Sequence, residues 1–287
     1  MTNNTFAQVS VIGAGTMGHG IAQVCSMAGM EVRLFDVKDD ALQRGLDMVH
    51  NNLDKGVERG KVDESVRDAT LQRLAGTTNL EVAVDGADLV VEAVPEILDL
   101  KQSLFSTIEQ CVDEHTVLGT NTSSLSVAKI GSVLTHPERL VGLHFFNPVH
   151  IMKLLEVISH PSTASVVIER IQQFGTEIGK ECIYVKDFPG FATSRLGVCL
   201  GMEAIRMLEQ GVASAKDIDA AMVLGYRHPV GPLKLTDMVG LDVRLQIGEY
   251  LARELGNPAF EPPDLMREMV DAGKLGKKSG QGFYAWP

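Results

Sequence analysis

Two apolar runs in the middle of the chain each contain one polar residue that could take part in proton transfer. His144 lies in the run Leu140–Phe145, and Glu156 lies in the next run, Leu154–Ile158. An unpaired buried carboxylate is costly, so we expect Glu156 to have a partner, for which His144 is the candidate. The carboxylate would fix the orientation and tautomer of the ring, and the other ring nitrogen would accept a proton near neutral pH. The alternative is a hydrogen-bonded core histidine near an unrelated glutamate, which the spacing alone favours.

A run of small polar residues, Asn-Thr-Ser-Ser at positions 121–124, follows the β-rich stretch Val117–Thr120. If that stretch is a strand of a parallel sheet, the run lies at the carboxyl edge of the sheet, where ligands bind in open α/β folds. The same residue types also form turns and helix caps, and on its own the run favours that alternative.

A glycine-rich turn near the start of the chain predicts a nucleotide site. Gly13, Gly15 and Gly18 follow an apolar run and precede a helix-compatible stretch. The first glycine permits a tight turn, the second lets the backbone approach a pyrophosphate, and the third lets helix and strand pack closely. The helix N-terminus then offers N–H groups to the phosphates. The alternative is a glycine-rich turn of the same fold that binds no dinucleotide.

Asp36 ends the next apolar run, 23 residues after Gly13. A carboxylate at this point binds the ribose diol of NAD and repels the 2′-phosphate of NADP. Lys38 weakens the preference without reversing it. We therefore expect NAD as the cofactor, and no other feature of the chain is typical of a flavin protein.

Strand–helix units must position these residues. In the first half of the chain, short apolar runs alternate with longer amphipathic stretches, and this pattern predicts such units. The expected strands are Val9–Gly13, Val32–Asp36, Leu89–Ala93, Val117–Thr120, Leu140–Phe145 and Leu154–Ile158. The charged residues from about 39 to 81 look like a helical insertion, longer than a crossover needs.

Beyond the Pro-Gly pair at 189–190 the pattern becomes helical. Apolar residues follow one face of Ser194–Glu209, Ser214 is a candidate helix cap, and Leu241–Leu255 is a helix that Gly256 stops. We predict an α/β protein: a Rossmann-type, mainly parallel sheet domain over 1–187, then an all-helical domain over 188–287.

The composition is that of an ordinary globular protein, with 287 residues, 45% of them apolar and 22% charged. The net charge of −11 disfavours binding to nucleic acid or to an anionic membrane. The chain has no apolar run of membrane-spanning length, and its N-terminus lacks the pattern of a signal peptide. Four scattered cysteines and unclustered histidines predict reduced thiols, no metal site and a cytoplasmic location.

The chain resembles a known family, the short-chain L-3-hydroxyacyl-CoA dehydrogenases, which include bacterial 3-hydroxybutyryl-CoA dehydrogenases. The resemblance covers nearly the whole length. It is carried, in this order, by GAGTMG, EAVPE, NTSSL, GLHFFNPV, MKLLEVI, DFPGF, GPLKLTDMVGLD and GKKSGQGFY. It implies NAD-dependent oxidation of an (S)-3-hydroxyacyl-CoA to the 3-oxoacyl-CoA, with 3-hydroxybutyryl-CoA as the expected substrate, by a homodimer formed through the helical domain.

The resemblance also implies roles for individual residues. His144 is the catalytic base, Glu156 orients it, and Ser123 contacts the 3-oxygen of the substrate. The helical insertion from about 39 to 81 corresponds to the family's helical arm, which contacts CoA. The remaining substrate-binding positions are Asn147, Ser194 and, on this arm, Asn52 and Arg59. The cofactor positions are Gly13, Gly15, Thr16, Met17, Gly18, Asp36, Glu96, Lys101, Asn147 and Lys278. The arm also carries four basic residues, Lys55, Arg59, Lys61 and Arg67. They could bind the phosphates of CoA; the alternative is that they only form a solvated helix face.

One position departs from the family pattern, because Ser194 stands where the family usually has asparagine. Serine is shorter and offers a single hydroxyl, so the acyl pocket differs or a water fills the gap; Ser194 is alternatively only a helix cap. Two other functions remain open on the same scaffold. One is a dehydrogenase of a free hydroxy acid or sugar acid such as L-gulonate, and the other is a non-catalytic nucleotide-binding relative.

Overall fold

An eight-stranded sheet organises the first part of the chain. The computed structural model describes residues 4–287, and the chain divides into two units between Asp187 and Phe188. The strands are β1 Gln8–Ile12, β2 Glu31–Phe35, β3 Leu74–Thr77, β4 Leu89–Glu92, β5 Val117–Thr120, β6 Leu140–Phe145, β7 Leu154–Ser159 and β8 Glu181–Lys186. Their spatial order is β3-β2-β1-β4-β5-β6-β7-β8.

The sheet is parallel from β3 to β6, and β7 pairs antiparallel with β6 and parallel with β8. β4, β5 and β6 are buried along their whole length, as expected of strands covered on both faces by helices. Those helices are α1 Gly18–Met27, α2 Asp39–Glu58, α3 Glu64–Gln72, α4 Leu80–Val84, α5 Leu98–Glu109, α6 Val127–Gly131 and α7 Ser165–Glu177. The prediction of a mainly parallel Rossmann-type sheet is confirmed.

This topology brings separate segments to one edge of the sheet. Because β1, β4, β5 and β6 are parallel neighbours, the residues that follow each of them meet at the carboxyl edge. The strand order reverses between β1 and β4, and a ligand crevice opens at such a switch point. The glycine turn, the segment after β4, the polar run 121–124 and the segment after His144 therefore share this edge.

The helical insertion is partly as expected. α2 buries residues spaced along one face, Leu42, Gly45, Val49 and Leu53, which is the pattern of an amphipathic helix. The expectation of helix up to residue 81 is wrong for Leu74–Thr77, which forms the edge strand β3 beside β2. Only four residues long and partly exposed, this strand contains an alanine and a glycine, so it lacks a strand-like pattern.

The second unit is built from helices around its own core, as predicted. They are α8 Thr193–Glu209, α9 Ala215–Ala220, α10 Pro232–Val239, α11 Leu241–Leu255 and α12 Asp264–Asp271. The Ser214 hydroxyl caps α9 by accepting from the N–H of Asp217, and Gly256 ends α11 in a left-handed conformation. Both ends were predicted from these residue types.

A buried carboxylate anchors the end of the chain within this second unit. Asp237 of α10 accepts hydrogen bonds from the N–H groups of Phe283 and Tyr284 and from the indole of Trp286. The core beneath consists of buried apolar side chains, among them Val198, Met202, Ile205, Leu233, Leu251 and Met266. Within residues 4–287, no helix is long and apolar enough to cross a membrane, and no three His, Cys, Asp or Glu side chains are placed to hold a metal ion.

Candidate active site

A histidine and a glutamate form a buried polar pair in the sheet. The antiparallel register of β6 and β7 places His144 directly opposite Glu156. The Nδ1 of His144 lies 2.6 Å from Oε2 of Glu156, and the two residues are 6% and 0% exposed. A carboxylate acceptor at Nδ1 assigns the ring proton to that nitrogen, so Nε2 is the atom at which a proton can be exchanged. The sequence predicted this contact, although not the antiparallel pairing that produces it.

The aromatic ring of Phe146 lies against this histidine, with 4.4 Å between the ring centroids. Asn147 follows at the exposed end of the same strand. The loop beyond Asn147 is held by Lys180, which follows α7. The ammonium of Lys180 donates hydrogen bonds to the carbonyls of Val149 and Met152. Lys180 was not predicted as part of the site's support, and an isolated lysine after a Gly in the sequence gives no indication of it.

The polar run 121–124 is a loop next to this pair. The side-chain oxygen of Asn121 accepts from the N–H of Phe145, at 3.0 Å, which joins the loop to the residue after His144. Glu96, after β4, accepts from the hydroxyl of Thr122 at 2.6 Å and from the N–H groups of Ser123 and Ser124 at 2.8 and 3.2 Å. The loop, which follows β5, is therefore fixed from the ends of β4 and β6, the strands on either side of β5.

Beneath Glu96 lies a buried ion pair. Lys101 of α5 is fully buried, and its ammonium lies 2.7 and 2.9 Å from the two carboxylate oxygens of Glu92 and 3.3 Å from Glu96. Burial raises the pKa of the Glu92 carboxyl, and the Lys101 charge opposes that shift. Sequence reasoning missed Glu92. The detectable signal was a glutamate closing the otherwise apolar strand Leu-Val-Val-Glu.

The glycine turn has the geometry that a dinucleotide requires. Gly13 has φ +104°, and a Cβ there would lie 2.7 Å from the carbonyl oxygen of Ala93. A Cβ on Gly18 would lie 1.7 Å from the carbonyl oxygen of Gly13, so helix and turn pack too closely for a side chain. Beside Gly15 there is open space, as needed for the backbone to approach a pyrophosphate. α1 then begins at Gly18, with Thr16 and Met17 in the turn before it.

The carboxylate of Asp36 is held beside that turn. One oxygen accepts from the N–H of Ala14 at 3.0 Å and the other from the N–H of Lys38 at 3.1 Å. Both bonds leave lone pairs for a ribose diol. The open turn, the helix start and this carboxylate fit NAD. When NAD is bound, its nicotinamide would accept the hydride from an alcohol substrate.

The other expected site residues belong to other elements of the chain. Asn52 is on α2, where its amide donates to Gln23 of α1 at 3.1 Å, and Arg59 is exposed directly after α2. In the second unit, Ser194 is the second residue of α8, and the ammonium of Lys278 pairs with Asp242 at 2.6 Å.

Comparisons with known proteins agree with this description. The model of the 3-hydroxyacyl-CoA dehydrogenase NAD-binding domain matches residues 8–188, and that of the 3-hydroxyacyl-CoA dehydrogenase C-terminal domain matches residues 190–286. The first domain is thus that of an NAD-dependent oxidoreductase. Because both models match in order and cover most of the chain, the chain belongs to the 3-hydroxyacyl-CoA dehydrogenase family.

Individual relatives are similar over nearly their full length. A probable 3-hydroxybutyryl-CoA dehydrogenase of Bacillus subtilis is 41% identical over 277 residues, 96% of this chain and 96% of the relative. The 3-hydroxybutyryl-CoA dehydrogenase of Mycobacterium tuberculosis is 40% identical, over 99% of this chain and 100% of the relative. The crystal structure of (S)-3-hydroxybutyryl-CoA dehydrogenase PaaH1 from Ralstonia eutropha has a TM-score of 0.94 and 39% identity, covering 98% of this chain and 99% of that one.

Proposed function

We propose that the protein oxidises (S)-3-hydroxyacyl-CoA to 3-oxoacyl-CoA with NAD, and that 3-hydroxybutyryl-CoA is its substrate. The observation that carries the proposal is the His144–Glu156 pair, buried at the sheet edge that also holds the dinucleotide turn. The names of the similar proteins from Bacillus subtilis, Mycobacterium tuberculosis and Ralstonia eutropha support the substrate.

The proposal assigns a role to each residue of the site. The Nε2 of His144 accepts the proton of the 3-hydroxyl as the hydrogen on C3 leaves as hydride. Glu156 stabilises the imidazolium that forms and keeps the ring in place. Ser123 donates a hydrogen bond to the 3-oxygen, and Asn147 and Ser194 contribute at the substrate end. Lys278 and Glu96 remain proposed cofactor contacts, whereas Lys101, whose side chain is fully buried against Glu92 and Glu96, is proposed to act on the cofactor through Glu96.

The test is to follow NADH absorbance while the purified protein meets NADH and acetoacetyl-CoA, with free acetoacetate in a parallel reaction. Rapid NADH oxidation with the thioester and not with the free acid is the expected result. Activity with a free hydroxy or sugar acid such as L-gulonate, measured in the oxidative direction, would replace this proposal with that of a sugar-acid dehydrogenase. Activity with none of these substrates would favour a non-catalytic nucleotide-binding protein.

The choice of cofactor gives a second prediction. Asp36→Asn keeps an oxygen for the N–H of Ala14 or Lys38 but removes the charge that repels a 2′-phosphate. We expect the ratio of kcat/KM for NAD to that for NADP to fall by about 10-fold, which corresponds to about 1.4 kcal/mol. An unchanged ratio would show that another residue sets the preference.

The arm gives a third prediction. Lys55, Arg59 and Lys61 are exposed near the end of α2, whereas Arg67 is paired with Asp54 and Asp68. If the first three bind CoA phosphates, replacing them together by alanine should raise KM for acetoacetyl-CoA by about 10-fold with little change in kcat, because about 0.5 kcal/mol per exposed charge adds up across three contacts.

Arg44→Ala provides the matched control for the arm. Arg44 is on the same helix, is 66% exposed, and is paired with Asp40. The Arg44→Ala variant should leave KM for acetoacetyl-CoA unchanged. Equal effects of the triple variant and the control would remove the arm from the substrate site.

We further propose a homodimer and a cytoplasmic location. Several large apolar side chains of the second unit are exposed, as is typical of an association surface; they are Leu196, Leu224, Tyr226, Met238, Val239 and Val243. All four cysteines are unpaired, the state maintained in a reducing compartment. Light scattering of the purified protein should give twice the mass of one chain.

A further inference from the structure

One glutamate accepts three hydrogen bonds from the loop that carries Ser123. A single oxygen of Glu96 accepts from the hydroxyl of Thr122 and from the N–H groups of Ser123 and Ser124, at 2.6, 2.8 and 3.2 Å. The side chain of Glu96 is itself 36% exposed. A half-exposed glutamate loses rotamer freedom when it is fixed, so its position needs a further support.

That support comes from inside the protein. The second oxygen of Glu96 lies 3.3 Å from the ammonium of Lys101, which is fully buried and bonded to both oxygens of Glu92. Glu92 is fixed in turn by the N–H of Val94 and the hydroxyl of Thr120, each at 2.7 Å. The contacts thus run without a break from the ends of β4 and β5, through Glu92 and Lys101, to Glu96 and the loop.

Stability alone is a poor reason for this arrangement. A buried ion pair often contributes no more to folding than apolar side chains of similar volume, because desolvation offsets the attraction. Two carboxylates around one ammonium also leave a net negative charge in the network. What the ion pair provides, and apolar side chains do not, is a fixed direction for the carboxylate that holds the loop.

We propose that the Glu92–Lys101 ion pair positions Ser123 by holding Glu96 against the loop. This inference rests on the proposed function, which gives Ser123 its contact with the 3-oxygen of the substrate. Glu92 and Lys101 are positioning residues here, since they reach the reacting atoms only through Glu96. Asn121 completes the arrangement by joining the same loop to Phe145, next to His144.

The test uses the double variant Glu92→Gln/Lys101→Met, which removes the ion pair and leaves neither partner buried with an uncompensated charge. The first readout is hydrogen exchange at the amides of Ser123 and Ser124, which needs no activity. We expect exchange there at least about 10-fold faster than in the unaltered protein, with the rest of the sheet still protected. The second readout is kcat with acetoacetyl-CoA, which is expected to fall about 10-fold or more, while KM for NADH rises by a smaller factor.

The matched control is Glu109→Gln/Arg139→Met. This pair is also nearly buried, at 12% and 7% exposed, and joins α5 to the turn before β6 without touching the loop. The control should leave exchange at Ser123 and kcat unchanged. The proposal is overturned if the control produces the same changes, if exchange at Ser123 and Ser124 is unaltered in the double variant, or if KM for NADH rises as much as kcat falls.

Two arrangements keep the test decisive. If the double variant does not fold, Thr120→Val removes one support of Glu92 and keeps all three charges, and the same readouts should change in the same direction by a smaller factor. If the unaltered protein does not reduce acetoacetyl-CoA, the proposed function fails. The exchange measurement still decides whether the ion pair holds the loop.

Discussion

His144→Gln is expected to lower kcat by about 10²–10⁴-fold, because glutamine can hydrogen-bond to Glu156 but cannot take up a proton near neutral pH. NADH binding should survive, since the dinucleotide turn follows β1 whereas His144 belongs to β6. Steady-state kinetics with acetoacetyl-CoA give kcat, and NADH fluorescence gives the dissociation constant. Turnover close to that of the unaltered protein would refute the assignment of His144 as the base.

A second buried histidine supplies the control. His160 has the same exposure as His144, 6%, but its Nε2 contacts the carbonyl of Pro137 and its Nδ1 accepts from the N–H of Ser162. Both ring nitrogens hydrogen-bond to backbone groups. His160→Gln should therefore change the free energy of unfolding by about 1 kcal/mol and kcat by less than about 3-fold. A loss of turnover in both variants would point to general damage to the fold.

The second large effect is expected from Gly18→Ala. The new methyl would start 1.7 Å from the carbonyl oxygen of Gly13, and neither backbone can move without opening the turn. Alanine favours a helix over glycine by only about 1 kcal/mol, too little to offset the clash. We expect the free energy of unfolding to fall by about 2–3 kcal/mol and NADH affinity to fall by about 10-fold or more. Urea titration and NADH fluorescence measure the two effects.

Gly15→Ala separates the effect on NADH affinity from the effect on stability. Apart from Gly15 and its two neighbours in the chain, no heavy atom of the described residues lies within 4 Å of the position that the methyl would take, so stability should change by less than about 0.5 kcal/mol. NADH affinity should still fall, because the methyl occupies space that the pyrophosphate needs. If Gly15→Ala left NADH affinity unaltered, the proposed placement of the cofactor on this turn would be wrong.

Much of the fold could be predicted because its strands are buried. Leu89–Glu92 and Leu140–Phe145 are almost uniformly apolar, and glycine-rich or polar segments bound them, so their positions were evident. The edge strands are different. Leu74–Thr77 is short and partly exposed, and Glu181–Lys186 contains only partly buried and exposed residues, so neither was assigned. Edge strands are defined by their pairing partner, which local sequence does not reveal.

The candidate site was only partly predictable for a similar reason. The cost of burying a carboxylate indicated that Glu156 needs a partner and made His144 the candidate. The spacing alone favoured an unrelated histidine, and the resemblance to the family selected the pair. The role of Glu96 as the acceptor for the loop could not be read in this way. It depends on β4 and β5 being neighbours in the sheet, although residue 96 and the loop are more than 20 positions apart. Glu92 was missed because its partner lies on the following helix.

The most direct test of proton exchange at His144 is the pH dependence of kcat/KM measured in both directions with saturating cofactor. Oxidation of 3-hydroxybutyryl-CoA requires the neutral ring, which accepts the proton, so its rate should rise with pH. Reduction of acetoacetyl-CoA requires the protonated ring, which donates it, so its rate should fall with pH over the same range. Opposite profiles are the predicted result. Profiles that rise together, or that do not depend on pH, would contradict a histidine that exchanges the proton of the 3-hydroxyl.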